Sequence, residues 1–372
     1  VKDVAESILM KGNEALAEAA IRAGCRYYFG YPITPQNEIS EYMARRLFEE
    51  GGVFLQAESE VSAINMVYGA AGAGGRVLTS SSSPGISLMQ EGISYIAGSE
   101  LPCVIINMQR GGPGLGGIQP SQADYFQATK GGGHGDYRLV VYGPATIQEG
   151  CDLMAHAFDL ADRYRNPVMI LGDGMIGQMM EPVTFPEQAG KKELPEKPWA
   201  TIGNAGRKSN LISSILLDPE ELDAHNWQIQ EKYREIEKTE KRHETLYSDD
   251  SEWFFVAYGT VARICQSVIG RLRKEGIKVG LVRPVSLWPF PDQAFDEVIA
   301  HAKGFLCVEM STGQMVEDVR LAVAGRRPVY FYGRTGGAVP HPRNVERRLR
   351  DMMAGKVPSV TDYWDKAGGV LA

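Results

Sequence analysis

The sequence lacks any close pair of cysteines. Its five, Cys25, Cys103, Cys151, Cys265 and Cys307, are scattered and odd in number, with no CxxC among them. Iron–sulfur clusters and structural zinc sites draw on closely spaced thiolates, so no cluster and no metal site is expected within this chain. Buried free thiols in a reducing compartment are expected instead. No apolar run approaches the roughly 18 residues of a membrane helix. The opening stretch VKDVAESILMKGNEA has no basic start followed by an apolar core and does not read as a secretory signal. The expectation is a soluble, cytoplasmic protein with no membrane contact. A basic excess is missing as well: 39 Lys and Arg stand against 46 Asp and Glu, a net charge of −7. Nucleic-acid binding needs a basic face, so no nucleic-acid partner is expected. The dinucleotide and P-loop glycine signatures are absent, and so is a GxSxG nucleophile elbow.

What is present is the composition of a globular protein, 44% hydrophobic and 23% charged over 372 residues, long enough for two cores. Ala15, Leu16, Ala19, Ala20 and Ala23 form a helical stripe that Gly24 stops. Strands are expected at 26–29, 53–57, 76–80, 102–108, 138–141 and 167–171, with helices at 36–49, 60–73, 85–97 and 147–164. Such alternation implies a parallel sheet covered by helices on both faces. Ligands bind where loops leave the C-terminal ends of such strands. Three of these loops, 30–35, 79–85 and 110–122, are rich in Gly, Pro, Ser and Thr.

Composition shifts after residue 185. Prolines and lysines cluster at 186–198, and a charged stretch, EKYREIEKTEKRHETLY, reads as an exposed helix because glutamates alternate with its basic residues. A second alternation starts at Trp253, with strands at 253–258, 278–282, 304–309 and 328–332, helices between them, and a last helix at 345–354. The expected organisation is a domain over 1–185, a connector over 186–250 and a smaller open α/β domain over 251–372.

Four local patterns could carry chemistry. Glu60, with Glu58 nearby, opens a helix after a strand, where a carboxylate faces the positive end of the helix dipole; capping the helix is the plain alternative. Arg110 precedes a run of glycines at 111, 112, 114, 116 and 117, and could hold a carboxylate through two parallel hydrogen bonds, although a flexible surface loop has the same composition. His134 stands among glycines at 131–135, where an imidazole has room for a ligand or simply occupies a turn. Gly172-Asp173-Gly174 has the opening of the magnesium motif of thiamine-diphosphate enzymes, but no asparagine follows at the right distance, and a tight Asp-Gly turn is expected.

Taken in order, Tyr31-Pro32-Ile33-Thr34-Pro35, Ser59-Glu60, the stretch SSPGISLM at 82–89, QRGGPG at 109–114 and GHGD at 133–136 resemble the alpha subunits of 2-oxoacid:ferredoxin oxidoreductases, in the pyruvate:ferredoxin oxidoreductase superfamily. Tyr258-Gly259-Thr260 and VEMSTGQ at 308–314 extend the resemblance to the second domain. It implies an α/β fold: a thiamine-diphosphate pyrimidine-binding domain followed by a transketolase C-terminal-like domain. It also implies a division of labour. A beta subunit would carry the diphosphate and Mg²⁺ site and a [4Fe–4S] cluster. A gamma subunit would complete the assembly, coenzyme A would take the acyl group, and ferredoxin would take the electrons.

The resemblance implies residue roles too. Glu60 corresponds to the glutamate that hydrogen-bonds N1′ of the aminopyrimidine, so that the 4′-amino group can reach its imino form and remove the C2 proton. Thr34 and Arg110 would hold the substrate carbonyl and carboxylate. Tyr31, Pro32, Ile33, Pro84 and Gly85 fall on the cofactor-binding motifs, and Gly111, Gly112, Gly114 and His134 on the substrate loop. The loop 114–122 and the stretch DYFQAT at 124–129 resemble the branched-chain, 2-oxoisovalerate members. A 2-oxoglutarate enzyme is the alternative; it would need another cation, and only Lys130 and Arg138 are near in sequence. A stand-alone thiamine-diphosphate carboligase or decarboxylase, which would need its own Mg²⁺ motif, and a noncatalytic scaffold remain as further readings.

Overall fold

The computed structural model describes residues 7–185 and 194–360, so the run at 186–198 lies largely outside the described residues. The first unit runs β1 (Ser7–Lys11), α1 (Gly12–Arg22), β2 (Tyr27–Gly30), α2 (Asn37–Glu49), β3 (Val53–Gln56), α3 (Glu60–Gly72), β4 (Val77–Ser81), α4 (Pro84–Gly98), β5 (Cys103–Gln109), α5 (Tyr125–Thr129), β6 (Val140–Tyr142), α6 (Ile147–Tyr164), β7 (Pro167–Asp173), α7 (Gly174–Gln178) and β8 (Met180–Thr184). A long, mostly exposed helix α8 (Pro219–Thr239) follows, then β9 (His243–Leu246), β10 (Trp253–Val256), α9 (Gly259–Lys274), β11 (Val279–Pro284), β12 (Ser286–Trp288), α10 (Gln293–Asp296), β13 (Gly304–Glu309), α11 (Met315–Val323), β14 (Val329–Gly333) and α12 (Pro342–Met353).

The first sheet has seven strands in the order β12-β6-β7-β5-β4-β2-β3. All neighbours are parallel except β12, which runs antiparallel to β6. Strands β4, β5 and β7 are buried along their whole length, which is why they read as nearly continuous apolar runs. Along β5 the side chains alternate. Val104, Ile106 and Met108 enter the core shared with α1, α2 and α6, while Cys103 and Ile105 enter the core shared with α3 and α4. Helix α6 shows why such a segment is helical. Thr146 caps it by accepting from Glu149 N, and Ile147, Cys151, Met154, Phe158 and Ala161 form its buried stripe.

The second sheet has the order β14-β13-β10-β11-β9, parallel except for β9. The two units share a core, in which Phe254, Tyr258, Leu287 and Phe305 belong to the same buried cluster as Ile64 and Ile93. Strand β12 leaves the second unit to join the first sheet. Three residues, Ser-Leu-Trp before a proline, carry no strand period from which it could be predicted. The antiparallel pair β1–β8, also not predicted, ties the first strand to the end of the unit from Ser7–Thr184 to Lys11–Met180. Of the helix expected between the strands at 278–282 and 304–309, only Gln293–Asp296 is helical. All five cysteines are free and buried, and burial pushes the thiols of Cys25, Cys103 and Cys151 up to about 12. No helix of the described residues is long and apolar enough to cross a membrane.

Candidate active site

Strands β2, β4 and β5 are neighbours, so the loops leaving their C-terminal ends open on one edge of the sheet. The first loop, Tyr31 to Pro35, is anchored by Gln36, which is fully buried; its side chain accepts from Ser80 Oγ at 2.6 Å and donates to Tyr31 O at 3.3 Å. Tyr31, Pro32 and Thr34 are exposed and Ile33 is half-buried. The third loop starts at Arg110, whose guanidinium reaches across to the first. Nη1 donates to Thr34 O at 2.9 Å and Nη2 to Leu115 O at 3.0 Å. Its Nε is buried without a partner, and among the described residues no carboxylate pairs with this cation. The side chain is thus fixed in place by neutral carbonyls and makes no direct ion pair among the described residues.

The glycine run after Arg110 is not a loose surface loop at its stem. Gly111 N donates to Gln119 O and Gly117 N to Gly111 O, closing the loop on itself. A Cβ at position 111 would lie 2.9 Å from the backbone at Gly336 and Gly337, so glycine is required where the second unit's loop lies against it. Gly112 and Gly114, at the tip, meet nothing within 4 Å.

Glu60 is the first residue of α3, but the cap is Ser59, whose Oγ accepts from Ser62 N. The capping alternative for Glu60 therefore fails: its carboxylate is buried, at 6% exposure, and has no hydrogen-bond or ion-pair partner among the described residues. It lies against the start of α4. A Cβ on Gly85 would sit 2.6 Å from Glu60 Oε1 and 2.1 Å from Ser81 Oγ, and that hydroxyl is itself buried without a partner. Ser81 Oγ is thus a buried hydroxyl without a partner beside a mostly buried carboxylate, and such a polar atom is costly unless a ligand satisfies it. This is the observation that fits an aminopyrimidine ring, whose edge offers donors and acceptors. Glu58 is exposed and accepts from Ser62 Oγ, away from this place.

Between these groups lies a hydrogen-bond network whose members the sequence patterns include but do not connect. Ser83 has φ of 23° and ψ of −81°. Its Oγ donates to Asp124 Oδ2 at 2.6 Å and accepts from Arg110 N at 3.0 Å. Asn107 closes the ring, its Oδ1 accepting from Ser83 N and its Nδ2 donating to Asp124 Oδ2. Burial pushes the Asp124 carboxyl up; the bonds from Ser83 and Asn107 and the Arg110 charge oppose it.

Asp173 is not in a tight turn. It caps α7, its Oδ1 accepting from Met175 N, Ile176 N and, at 3.0 Å, Thr260 Oγ1 of the second unit. The Asp-Gly pair reads as a turn, but the following Met-Ile-Gly-Gln continues as a helical turn. An oxygen holding three donors is poorly placed to receive Mg²⁺. His134 is exposed, on a loop held to α4 by Tyr137 Oη, which accepts from Gly133 N and donates to Gln90 Oε1. No hydrogen bond among the described residues links it to Thr34, Arg110 or Glu60. Lys130 is ion-paired with Asp318 of the second unit. Beside Thr34 opens a cleft of about 510 Å³ lined by Ile118, Met175 and Val339, with Glu38 its one charged residue.

Residues 18–248 match the family described as "Pyruvate flavodoxin/ferredoxin oxidoreductase, thiamine diP-bdg", and residues 251–345 match "Pyruvate:ferredoxin oxidoreductase core domain II". The chain is 51% identical over 344 residues to the ketoisovalerate oxidoreductase subunit VorB of Methanothermobacter thermautotrophicus, covering 92% of this chain and 97% of that protein. A 2-oxoglutarate:ferredoxin oxidoreductase from Magnetococcus marinus, solved with 2-oxoglutarate, coenzyme A and succinyl-CoA bound, superposes with a TM-score of 0.84 at 27% identity; the match covers 93% of this chain and 65% of that one. A split-gene transketolase shares the fold at 14% identity, with a TM-score of 0.59 over 94% of this chain and 99% of that one. The chain belongs to the thiamine-diphosphate-dependent 2-oxoacid:ferredoxin oxidoreductase family and is a subunit of such an enzyme.

Proposed function

We propose that this chain is the alpha-type subunit of a 2-oxoisovalerate:ferredoxin oxidoreductase, oxidising a branched-chain 2-oxo acid to its acyl-CoA. The observation that carries the reading is Arg110, a cation held by backbone carbonyls with no direct ion-pair partner among the described residues, bonded to Thr34 O beside an apolar cleft. The guanidinium receives the substrate carboxylate, the Thr34 hydroxyl meets the 2-oxo group, and the apolar wall of Ile118, Met175 and Val339 takes the branched side chain. A 2-oxoglutarate substrate would bring a second carboxylate towards Glu38, whose partner Lys11 at 3.3 Å is already engaged, and no cation lines the cleft itself. Lys130, the nearby cation in sequence, is already held by Asp318. The 51% identity to a ketoisovalerate oxidoreductase subunit favours the same substrate.

Thiamine diphosphate supplies the electron sink for decarboxylation when bound. On this chain, Glu60 would hold N1′ of its pyrimidine and share a proton with it, and Tyr31, Pro32, Ile33, Pro84 and Gly85 would line that ring's side. Gly111, Gly112, Gly114 and His134 are kept as substrate-loop candidates. The missing asparagine after Gly172-Asp173-Gly174, with Asp173 buried as the cap of α7, supports assigning Mg²⁺ and the diphosphate to a beta subunit. That subunit would also carry the [4Fe–4S] cluster, with a gamma subunit and ferredoxin completing a cytoplasmic complex. The test is reconstitution. The chain alone should not turn over, whereas with its beta and gamma subunits it should reduce ferredoxin or viologen, dependent on coenzyme A and faster with 2-oxoisovalerate than with 2-oxoglutarate. A preference for 2-oxoglutarate would overturn the substrate assignment. Tight Mg²⁺-dependent binding of the cofactor to the chain alone would favour a stand-alone enzyme.

A further inference from the structure

The ring formed by Ser83, Asn107, Asp124 and the Arg110 backbone joins the two elements on which the proposed chemistry depends. Ser83 ends the turn from β4 into α4, so its conformation sets where Gly85 lies against Glu60. Its hydroxyl also accepts from the backbone N–H of Arg110, which sets where the guanidinium's stem leaves β5. A φ of 23° with ψ of −81° lies outside the regions favoured by residues with a Cβ, and Pro84 after it bars the ordinary helical conformation. Such a conformation persists only where its surroundings impose it, and residues of this kind gather at functional sites.

The imposing group is identifiable. A serine hydroxyl has one hydrogen, and the short bond to the Asp124 carboxylate fixes where that hydrogen points. A lone pair is then left facing Arg110 N. Asp124 is held in turn by Asn107 Nδ2 and by Gln109, whose Oε1 accepts from Asp124 N at 3.1 Å. Two residues earlier, Gln122 is clamped to the second unit: its N donates to Met310 O, its Oε1 accepts from Met310 N, and its Nε2 donates to Tyr258 O.

We propose that Asp124, acting through the strained Ser83, is a positioning residue that sets Arg110 for the substrate carboxylate and the start of α4 against Glu60. The proposal rests on the roles given to Glu60 and Arg110 above. It touches neither substrate nor cofactor, so its signature differs from that of lost chemistry and from that of a weakened fold. Because the network holds the oxo-acid end of the site, its loss should act on that substrate and not on coenzyme A.

The test uses Asp124→Ala, Asp124→Asn, Ser83→Ala and Ser83→Gly in the reconstituted complex, with kcat and KM for each substrate and the thermal midpoint of each variant. Misplacing a reacting group by about 1 Å costs on the order of 10²-fold. Asp124→Ala and Ser83→Ala should lower kcat/KM for the oxo acid by roughly 10- to 100-fold and leave the KM for coenzyme A in place. Asp124→Asn keeps an acceptor oxygen and should retain most activity. Ser83→Gly relieves the strain that Ser83→Ala keeps, so it should melt higher than the alanine variant while remaining as poorly active. Three results would each overturn the proposal: activity following the thermal midpoint across the four variants, the two KM values rising together, or equal losses in Asp124→Asn and Asp124→Ala. Glu60→Gln separates the two claims. If it is inactive while Ser83→Ala is fully active, the positioning role alone fails; if it is fully active, the reading of the site fails first.

Discussion

Gly85→Ala perturbs the site by pressing on Glu60 without replacing that carboxylate. The new methyl would start 2.6 Å from Glu60 Oε1 and 2.1 Å from Ser81 Oγ, where ordinary contact begins near 3.4 Å. Ser81 can rotate its hydroxyl, but Glu60 is buried and must withdraw by most of an ångström. Overpacking of this kind costs about 1–3 kcal/mol, and replacing glycine by alanine in a helix returns up to about 1 kcal/mol. The net destabilisation should therefore be modest, roughly 0–3 kcal/mol, enough to lower the thermal midpoint by several degrees at most. The functional loss should be far larger, on the order of 10²-fold in kcat, because the carboxylate no longer meets the pyrimidine. The assay is 2-oxoisovalerate-dependent viologen reduction by the reconstituted complex, paired with a melting curve of the variant. Full activity at a normal melting temperature would refute the placement of Glu60 beside α4 as the functional feature.

Three further outcomes follow from the same geometry. Arg110→Lys keeps the charge but loses the planar fork, and one lost charge-assisted hydrogen bond of about 1.5–3 kcal/mol should lower kcat/KM for the oxo acid roughly 10- to 100-fold, read from steady-state kinetics. Burial raises the Asp173 carboxyl above its ordinary 3.8, so the folded state holds the proton more tightly than the unfolded chain. That contribution favours folding at low pH and is lost as pH rises from 3.8 through the folded value. Asp173→Asn keeps the cap oxygen, and its melting temperature relative to the natural chain should climb across that window; a constant difference would contradict the linkage. Lys130→Met should cost about 1 kcal/mol or less, since its partly exposed pair with Asp318 is screened. It should leave the preference for 2-oxoisovalerate over 2-oxoglutarate unchanged, as measured by competing the two substrates.

The legible parts of the fold were those whose pattern is local. Strands β4, β5 and β7 announce themselves as apolar runs between glycine- and serine-rich turns, and α6 by its Thr146 cap and apolar stripe. Strand β12 could not be read, since its partner β6 lies more than a hundred residues away and three residues hold no period. Asp173 was misread for the opposite reason: its local Asp-Gly signal was strong, and the deciding partner, Thr260, belongs to the other unit. At the site, Glu60 and Arg110 stood at strand ends, where position itself is informative. Ser83 and Asn107 also stand at strand ends, but their link to Asp124 was not legible, because it lies in bonds between distant segments and in a backbone angle. Ser81 Oγ is similar, since only the packed structure reveals an orphaned hydroxyl beside a buried carboxylate.

The most direct measurement is the rate of C2 proton exchange on thiamine diphosphate in the reconstituted complex carrying Glu60→Gln. An amide cannot share its proton with the pyrimidine nitrogen as a carboxyl does, so exchange should fall by orders of magnitude while the complex assembles normally. Exchange at the rate of the unaltered complex would contradict the account at its centre.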